Sequence, residues 1–364
     1  MLQSTFFLIC WVGTAWLFSQ FYQISQCEYV LGERQERCVW PVAVVAFLPV
    51  FLQAAFRGDV GDTYAYKQMY KELPETFSGL MEMLPTVTKD AGFTALSGLI
   101  KLLLGGNTTV FLFVIALIQS VFLVLVYRKH STNYLMSIFL FVASTDYLSW
   151  MFNGMRQFVA VTLIFGATTL LLEKKWPWVI AVILLASTMH QSALLMIPVV
   201  FMVQGKAWNR WSVLFLGLAL VAVMFVDRFT NILDDMMQET QYANMVTDWN
   251  EWGDDGTNVF RVLVYSVPTV LSLVGLRYIR AENDPVINLC ANMSIVSTGL
   301  YIISMFTSGI FIGRLPIYAS LYNYILLPWE ISRMFEEKSQ KLVNGIMVVC
   351  YLVFCWYQVN VAWG

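Results

Sequence analysis

Apolar runs long enough to cross a lipid bilayer recur along the whole of this chain, separated by short connections that carry most of its charge. They fall at residues 5–21, 39–56, 108–127, 133–150, 158–172, 212–226, 262–277, 286–306, 315–331 and 343–361. A helix needs roughly 20 apolar residues to cross about 30 Å of hydrocarbon, and a backbone inside lipid must satisfy its own hydrogen bonds, so runs of this kind fold as helices. Hydrophobic residues make up 58% of the 364 and charged residues 13%, which excludes a soluble globular class. The fold class expected is all-α: a polytopic transmembrane helical protein forming one integral membrane domain over residues 1–364.

Residues 176–203 form a further apolar stretch, long for one span and interrupted by Pro198 and by the polar block Ser187-Thr188-Met189-His190-Gln191-Ser192. Basic residues decide the threading, because short cytoplasmic loops are rich in Lys and Arg. With Arg128 and Lys129 taken as cytoplasmic, Lys174 with Lys175, Lys206 with Arg210, Arg277 with Arg280, and Arg333, Lys338 and Lys341 share that side on one condition. Residues 176–203 must cross twice or dip in and return, as two short helices broken near His190. Arg34 and Arg37 then also lie inside, both termini lie outside, and the chain makes about twelve crossings. The extracytoplasmic face receives residues 57–107, with interfacial helices at 64–73 and 91–104. It also receives the turn at 153–156, the break at His190, the acidic loop at 227–260 and the turn carrying Arg314.

Other features narrow the class. Residues 1–21 lack a basic n-region and a small-residue cleavage site, so they read as a retained first span. The cysteines (Cys10, Cys27, Cys38, Cys290, Cys350, Cys355) form neither a disulfide framework nor a zinc spacing. The formal net charge of -2 gives no reason to expect a nucleic-acid partner. No internal repeat of the kind found in inverted-repeat transporters is visible.

Charge set against an apolar stretch is costly, roughly 2.5 to 3.5 kcal/mol at a helix centre, and tends to mark a pathway or a reaction site. Arg57, Arg156, His190 and Arg314 all sit so, on one face. In Arg57-Gly58-Asp59-Val60-Gly61-Asp62 the two glycines permit turns that bring Arg57, Asp59 and Asp62 together; the plainer alternative is an ion pair pinning a loop. In Asn153-Gly154-Met155-Arg156-Gln157 the last two side chains add donors to the open N–H groups and positive dipole at a helix start, an anion site, unless Arg156 merely snorkels to the interface. A lone histidine in an apolar run is more often a packing residue, but a helix broken at membrane depth is tolerated where it lines a cavity or is buried in protein. Gly313-Arg314 repeats the order of glycine, arginine and span. Arginine rather than lysine fills these positions, which suits a planar fork gripping phosphate or carboxylate. Asp234, Asp235, Asp248, Glu251, Asp254 and Asp255 read as a solvated loop, and no metal site is expected.

Taken in order, Arg57-Gly58-Asp59 with Asp62 and Tyr64, Gly154-Met155-Arg156-Gln157 with Ala160, Ser187-Thr188-Met189-His190-Gln191-Ser192-Ala193, Asn258-Val259-Phe260-Arg261, and Gly313-Arg314 with Tyr318 span nearly the whole chain. This ordered set resembles the EpsG-type exopolysaccharide and O-antigen polymerases, often grouped with the Wzy polymerases. One departure is Asp90-Ala91-Gly92-Phe93, where that family more often carries Glu before its Gly-Phe/Tyr pair; no role is assigned to Asp90.

The resemblance implies a bacterial inner-membrane glycosyltransferase with its site facing the periplasm. Its partners would be undecaprenyl-pyrophosphate-linked oligosaccharides, membrane lipid, and a chain-length regulator and flippase of the same pathway. No cofactor is implied, since the donor already carries a pyrophosphate leaving group whose charge arginines can stabilise. Catalytic roles go to His190, Asp59 and Arg156, and substrate binding to Arg57, Asp62, Tyr64, Gln157, Arg261, Arg314 and Tyr318. Either His190 or Asp59 serves as the base, with His190 favoured for its titration near neutrality and Asp59 as its orienter or a sugar ligand. The rival readings are a lipid-linked oligosaccharide flippase or other transporter, a membrane O-acyltransferase, and a structural subunit of a secretion complex.

Overall fold

A computed structural model describes residues 2–225, 257–307, 309 and 311–361. Most of the acidic loop expected at 227–260 lies outside the described residues. The chain builds two compact units, Met1–Leu195 with Asn344–Gly364, and Met196–Val343.

The first unit opens with α1 (Leu2–Phe21), a hairpin of β1 (Ser25–Val30) and β2 (Glu33–Cys38), and α2 (Trp40–Ala55). Next come α3 (Thr63–Glu72), α4 (Phe77–Met83) and α5 (Ala91–Leu104), then the long α6 (Thr108–His130) and α7 (Tyr134–Ala143). A π-helical segment at Tyr147–Asn153 leads into α8 (Met155–Gly166), α9 (Thr168–Leu172) and α10 (Trp176–Met189), and a 3-10 turn at Gln191–Leu195 follows. The Asn107 side chain accepts from the Thr109 N–H to start α6, and Arg128, Lys129 and His130 fill its last turn, where cations suit the helix dipole. The helix α6 packs on α2 and α8, α10 on α8 and α5, and α1 on α7. Both short helices expected in residues 57–107 form, with α5 running from Ala91 to Leu104. There Lys101 is buried and its Nζ takes the carbonyl of Lys71 at 2.8 Å and that of Leu73, closing the end of α3.

The second unit comprises α11 (Met196–Met202), α12 (Arg210–Met224), α13 (Val259–Val274), α14 (Leu276–Glu282), α15 (Pro285–Met305), α16 (Ile317–Ser320), α17 (Asn323–Met334) and the start of α18 (Glu337–Val361). Its spine is α15, against which α12, α13, α16 and α17 pack. Asn209 caps α12 through the N–H groups of Trp211 and Ser212 and donates to the carbonyls of Met202 and Gln204. Asn292, inside α15, donates to the carbonyls of Val203 and Lys206, so its amide is satisfied where an unpaired one would cost several kcal/mol.

One sequence expectation changes, and a second is met only in part. The connection carrying Arg34 and Arg37 is a β-hairpin, not a loop, so the fold is helical with one two-stranded exception. Its turn residues Leu31 and Gly32 both take positive φ (53° and 86°), as a two-residue type I′ turn demands, and Ser25 to Val30 pair in register with Cys38 to Glu33. The expected count of twelve crossings is not confirmed among the described residues. Among the described residues four helices are long and apolar enough to span, α1, α6, α15 and α18, or six if the bent pairs α7 with Tyr147–Asn153 (71°) and α13 with α14 (67°) each count once. The reason is length: the 16 residues of α2 rise only about 24 Å at 1.5 Å each. The run at 315–331 is likewise divided between α16 and α17, and the run at 158–172 between α8 and α9.

Candidate functional site

The first unit gathers the polar clusters of its sequence at the start of α8. After seven residues of π-helix, a local form often found at functional sites, the chain turns at Gly154 and α8 begins with Met155, Arg156 and Gln157. Two buried groups fix that start. Gln119, in the middle of α6, donates to the Met155 carbonyl at 3.2 Å, and Arg57 Nη2 reaches the Met155 sulfur at 3.5 Å.

Arg57 is itself enclosed, at 8% exposure. Its Nε donates to Thr63 Oγ1 at 2.9 Å, Nη1 donates to the Ala54 carbonyl, and the guanidinium lies 5.0 Å from the Phe152 ring centroid. Burial lowers its pKa to about 10, still cationic at neutral pH. The tight turn expected here forms, but it does not pair Arg57 with Asp59. Asp59 is exposed and its carboxylate meets Lys67 at 2.7 Å. The backbone N–H of Asp62 donates to Asn153 Oδ1 at 3.1 Å, tying this loop to the turn before α8. Tyr64 is exposed on α3.

At the other edge α10 ends at His190, whose extended backbone (φ −159°, ψ 121°) makes the break that the sequence suggested. His190 Nδ1 lies 2.7 Å from Ser192 Oγ, and Gln157 Nε2 reaches the same hydroxyl at 3.5 Å. Ser192 is thus a partner of the imidazole, and Lys67 a partner of the Asp59 carboxylate.

Arg156 and Asp90 complete the cluster. Arg156 Nη1 lies 2.9 Å from Asp90 Oδ2, with the arginine side chain 39% exposed and the aspartate 5%. The arginine also stands 5.9 Å from the Tyr66 ring centroid. Burial pushes the Asp90 carboxyl above the usual aspartate range, against the opposing pull of Arg156 and of a backbone hydrogen bond from Gln191. Sequence reasoning passed over Asp90, Tyr66 and Ser192. The signal available for Asp90 was its place two residues before Gly92, where a Cβ would come within 2.9 Å of the Thr188 backbone carbon; only glycine lets α5 approach α10 so closely.

In the second unit Arg261 begins α13 near the Tyr265 ring, 5.9 Å to its centroid. Arg314 closes a 3-10 turn, Ile312–Arg314, and Tyr318 is buried in α16. Gly313 packs on Thr257, whose N–H donates to the Ser304 carbonyl at 2.9 Å and whose hydroxyl accepts from Ser304 Oγ at 2.8 Å.

A helical membrane chain with a half-exposed guanidinium, a buried carboxylate and an oriented imidazole grouped at a helix break is thus defined. The EpsG family model matches residues 41–362, so this chain belongs to the EpsG family, and that membership suggests a polysaccharide-polymerase type of function. Comparison with curated proteins and with solved structures gave no match.

Proposed function

We propose that the chain is a bacterial polysaccharide polymerase, a glycosyltransferase of the inner membrane that joins undecaprenyl-pyrophosphate-linked oligosaccharide repeat units at a site facing the periplasm. The observation that supports this reading is the juxtaposition of Arg156, on its buried carboxylate partner, with the Gln157, Ser192 and His190 series in a chain of this family.

In the reaction an acceptor hydroxyl oxygen bonds to the donor's anomeric carbon as the bond from that carbon to pyrophosphate oxygen breaks. The bonding electrons leave with undecaprenyl pyrophosphate, and the hydroxyl proton passes to the base. His190, whose Nδ1 meets Ser192 Oγ, is the base favoured here. Arg156 stabilises the charge that develops on the leaving group. Arg57 holds the helix start from within, and Asp59, Asp62 and Tyr64 offer exposed groups to incoming sugars.

Deleting the gene tests the reading. A polymerase leaves single repeat units on lipid or on the cell surface, and restoring the gene returns long chains. Loss of all surface sugar from the deletion strain would overturn the proposal in favour of a flippase.

A further inference from the structure

Asp90 stands directly ahead of α5, where an aspartate ordinarily caps and stabilises the helix, yet its side chain makes no cap hydrogen bond. Its backbone is left-handed, φ 54° and ψ 44°, a region sparsely populated by residues other than glycine, which persists where the surroundings impose it. The result is a carboxylate turned inward, 5% exposed, with Oδ2 on Arg156 and Oδ1 buried without a hydrogen-bond partner among the described residues. Stability does not account for this arrangement. A buried ion pair is often no better than apolar packing of the same volume, and here a cap is forgone and one oxygen is left unsatisfied.

The connections of Asp90 point elsewhere. Through Arg156 it touches the start of α8, and through the Gln191 backbone it touches the residue next to His190. The close passage of Gly92 against Thr188 fixes the distance between α5 and the end of α10. The more exposed member of the pair is the cation, which is the member able to meet an anion from outside.

Resting on the polymerase reading of this site, we propose that Asp90 is a positioning residue, which aims the Arg156 guanidinium at the departing pyrophosphate and holds it in register with the base at His190. Its negative charge opposes binding of an anionic donor, so its contribution lies in orientation and is felt in turnover rather than in donor affinity.

The test is a double-mutant cycle on the full chain in lipid nanodiscs. Its substrate is the lipid-pyrophosphate-linked repeat unit recovered from a strain lacking the gene, and binding of geranylgeranyl pyrophosphate is followed by tryptophan fluorescence. Asp90→Asn should lower kcat about 10-fold or more without raising KM for the donor, and Asp90→Glu should restore at least half of the activity. Arg156→Lys, which keeps charge but loses the planar fork, should also lose most activity, and adding Asp90→Asn to it should cost less than about threefold more. Losses that multiply in the double variant, or near-normal turnover of Asp90→Asn, would overturn the proposal. If the wild-type chain makes no ladder, the polymerase reading fails, and binding then decides the pairing. By removing the opposing charge, Asp90→Asn must then tighten binding of geranylgeranyl pyrophosphate in the wild-type background more than in Arg156→Lys; equal shifts in both sink it.

Discussion

Two ends of the first unit each hold an arginine against a carboxylate, and the two pairs are built in opposite senses. At the hairpin end Arg128 is the buried member, 4% exposed, and Glu28 the outer one at 30%. Both terminal nitrogens of its guanidinium, Nη1 and Nη2, go to Glu28, Trp40 lies 4.0 Å from the cation, and neighbouring Arg37 spends its donors on the carbonyls of Lys129 and Glu36 and on Gln35. At the helix break Asp90 is the buried member and Arg156 faces outward. An arginine beside a span is therefore not diagnostic by itself. What separates a fastener from an anion receptor is which member of the pair is exposed. Arg57, expected to bind substrate, is likewise enclosed, with its donors directed at Thr63, Ala54 and Met155.

The sharpest way to break the comparison is His190. If it takes the acceptor's proton, His190→Ala should cut turnover by about 100- to 10,000-fold, the usual worth of a positioned general base, while polyprenyl-pyrophosphate binding persists. His190→Gln keeps size and hydrogen bonding to Ser192 but cannot titrate, and it should fail almost as badly. Ladder formation by the glutamine variant at a substantial fraction of the wild-type rate would reduce His190 to a packing residue at the break and return the base to Asp59.

A smaller effect distinguishes contacts within α5. A methyl at Gly92 meets the Thr188 backbone, which cannot step aside, whereas one at Gly98 meets the terminal methyls of the Leu80 side chain. Overpacking typically costs about 1–3 kcal/mol, so Gly92→Ala should lower turnover about tenfold by moving Asp90 off Arg156, with the chain still inserted. Gly98→Ala should stay within about twofold. Equal behaviour of the two variants in the ladder assay would mean that the approach of α5 to α10 does not govern the site.

The difference between the ends also explains what could be read in advance. The break at His190, the extent of α5 and the helix start at Gly154-Met155-Arg156-Gln157 are local, written in polar interruptions, apolar runs and turn residues. The pairs Asp90 with Arg156 and Glu28 with Arg128 join residues far apart in sequence, and nothing in either partner's neighbourhood announces the other. The hairpin was hidden because its strands, Ser25–Val30 and Glu33–Cys38, are polar on both faces and lack the apolar alternation that marks a half-buried strand. Asp59 misled for a related reason: closeness to Arg57 in sequence suggested a pair, whereas one helical turn into α3 Lys67 takes the carboxylate.

The smallest effect belongs to the hairpin end, and its smallness is the point. Arg128→Lys keeps a cation but loses the two-nitrogen grip on Glu28 and the stacking on Trp40, a change worth about 1 kcal/mol. It should lower the thermal midpoint of the detergent-solubilised protein by a few degrees while turnover per inserted molecule is unchanged. The hydrogen bond from Arg128 is the chief reason that the Glu28 carboxyl titrates below its ordinary value. A depressed carboxyl pKa adds stability that is full above the unfolded value and is lost as pH falls through the folded one. The gap in midpoint between wild type and Arg128→Lys should therefore be widest at neutral pH and should narrow as the pH drops below the ordinary glutamate range. A gap that does not narrow on acidification would show that Trp40, not Glu28, holds Arg128 in place. A fall in turnover at neutral pH would show instead that the fastening end reaches the site, and the contrast between the two arginine–carboxylate pairs would no longer hold.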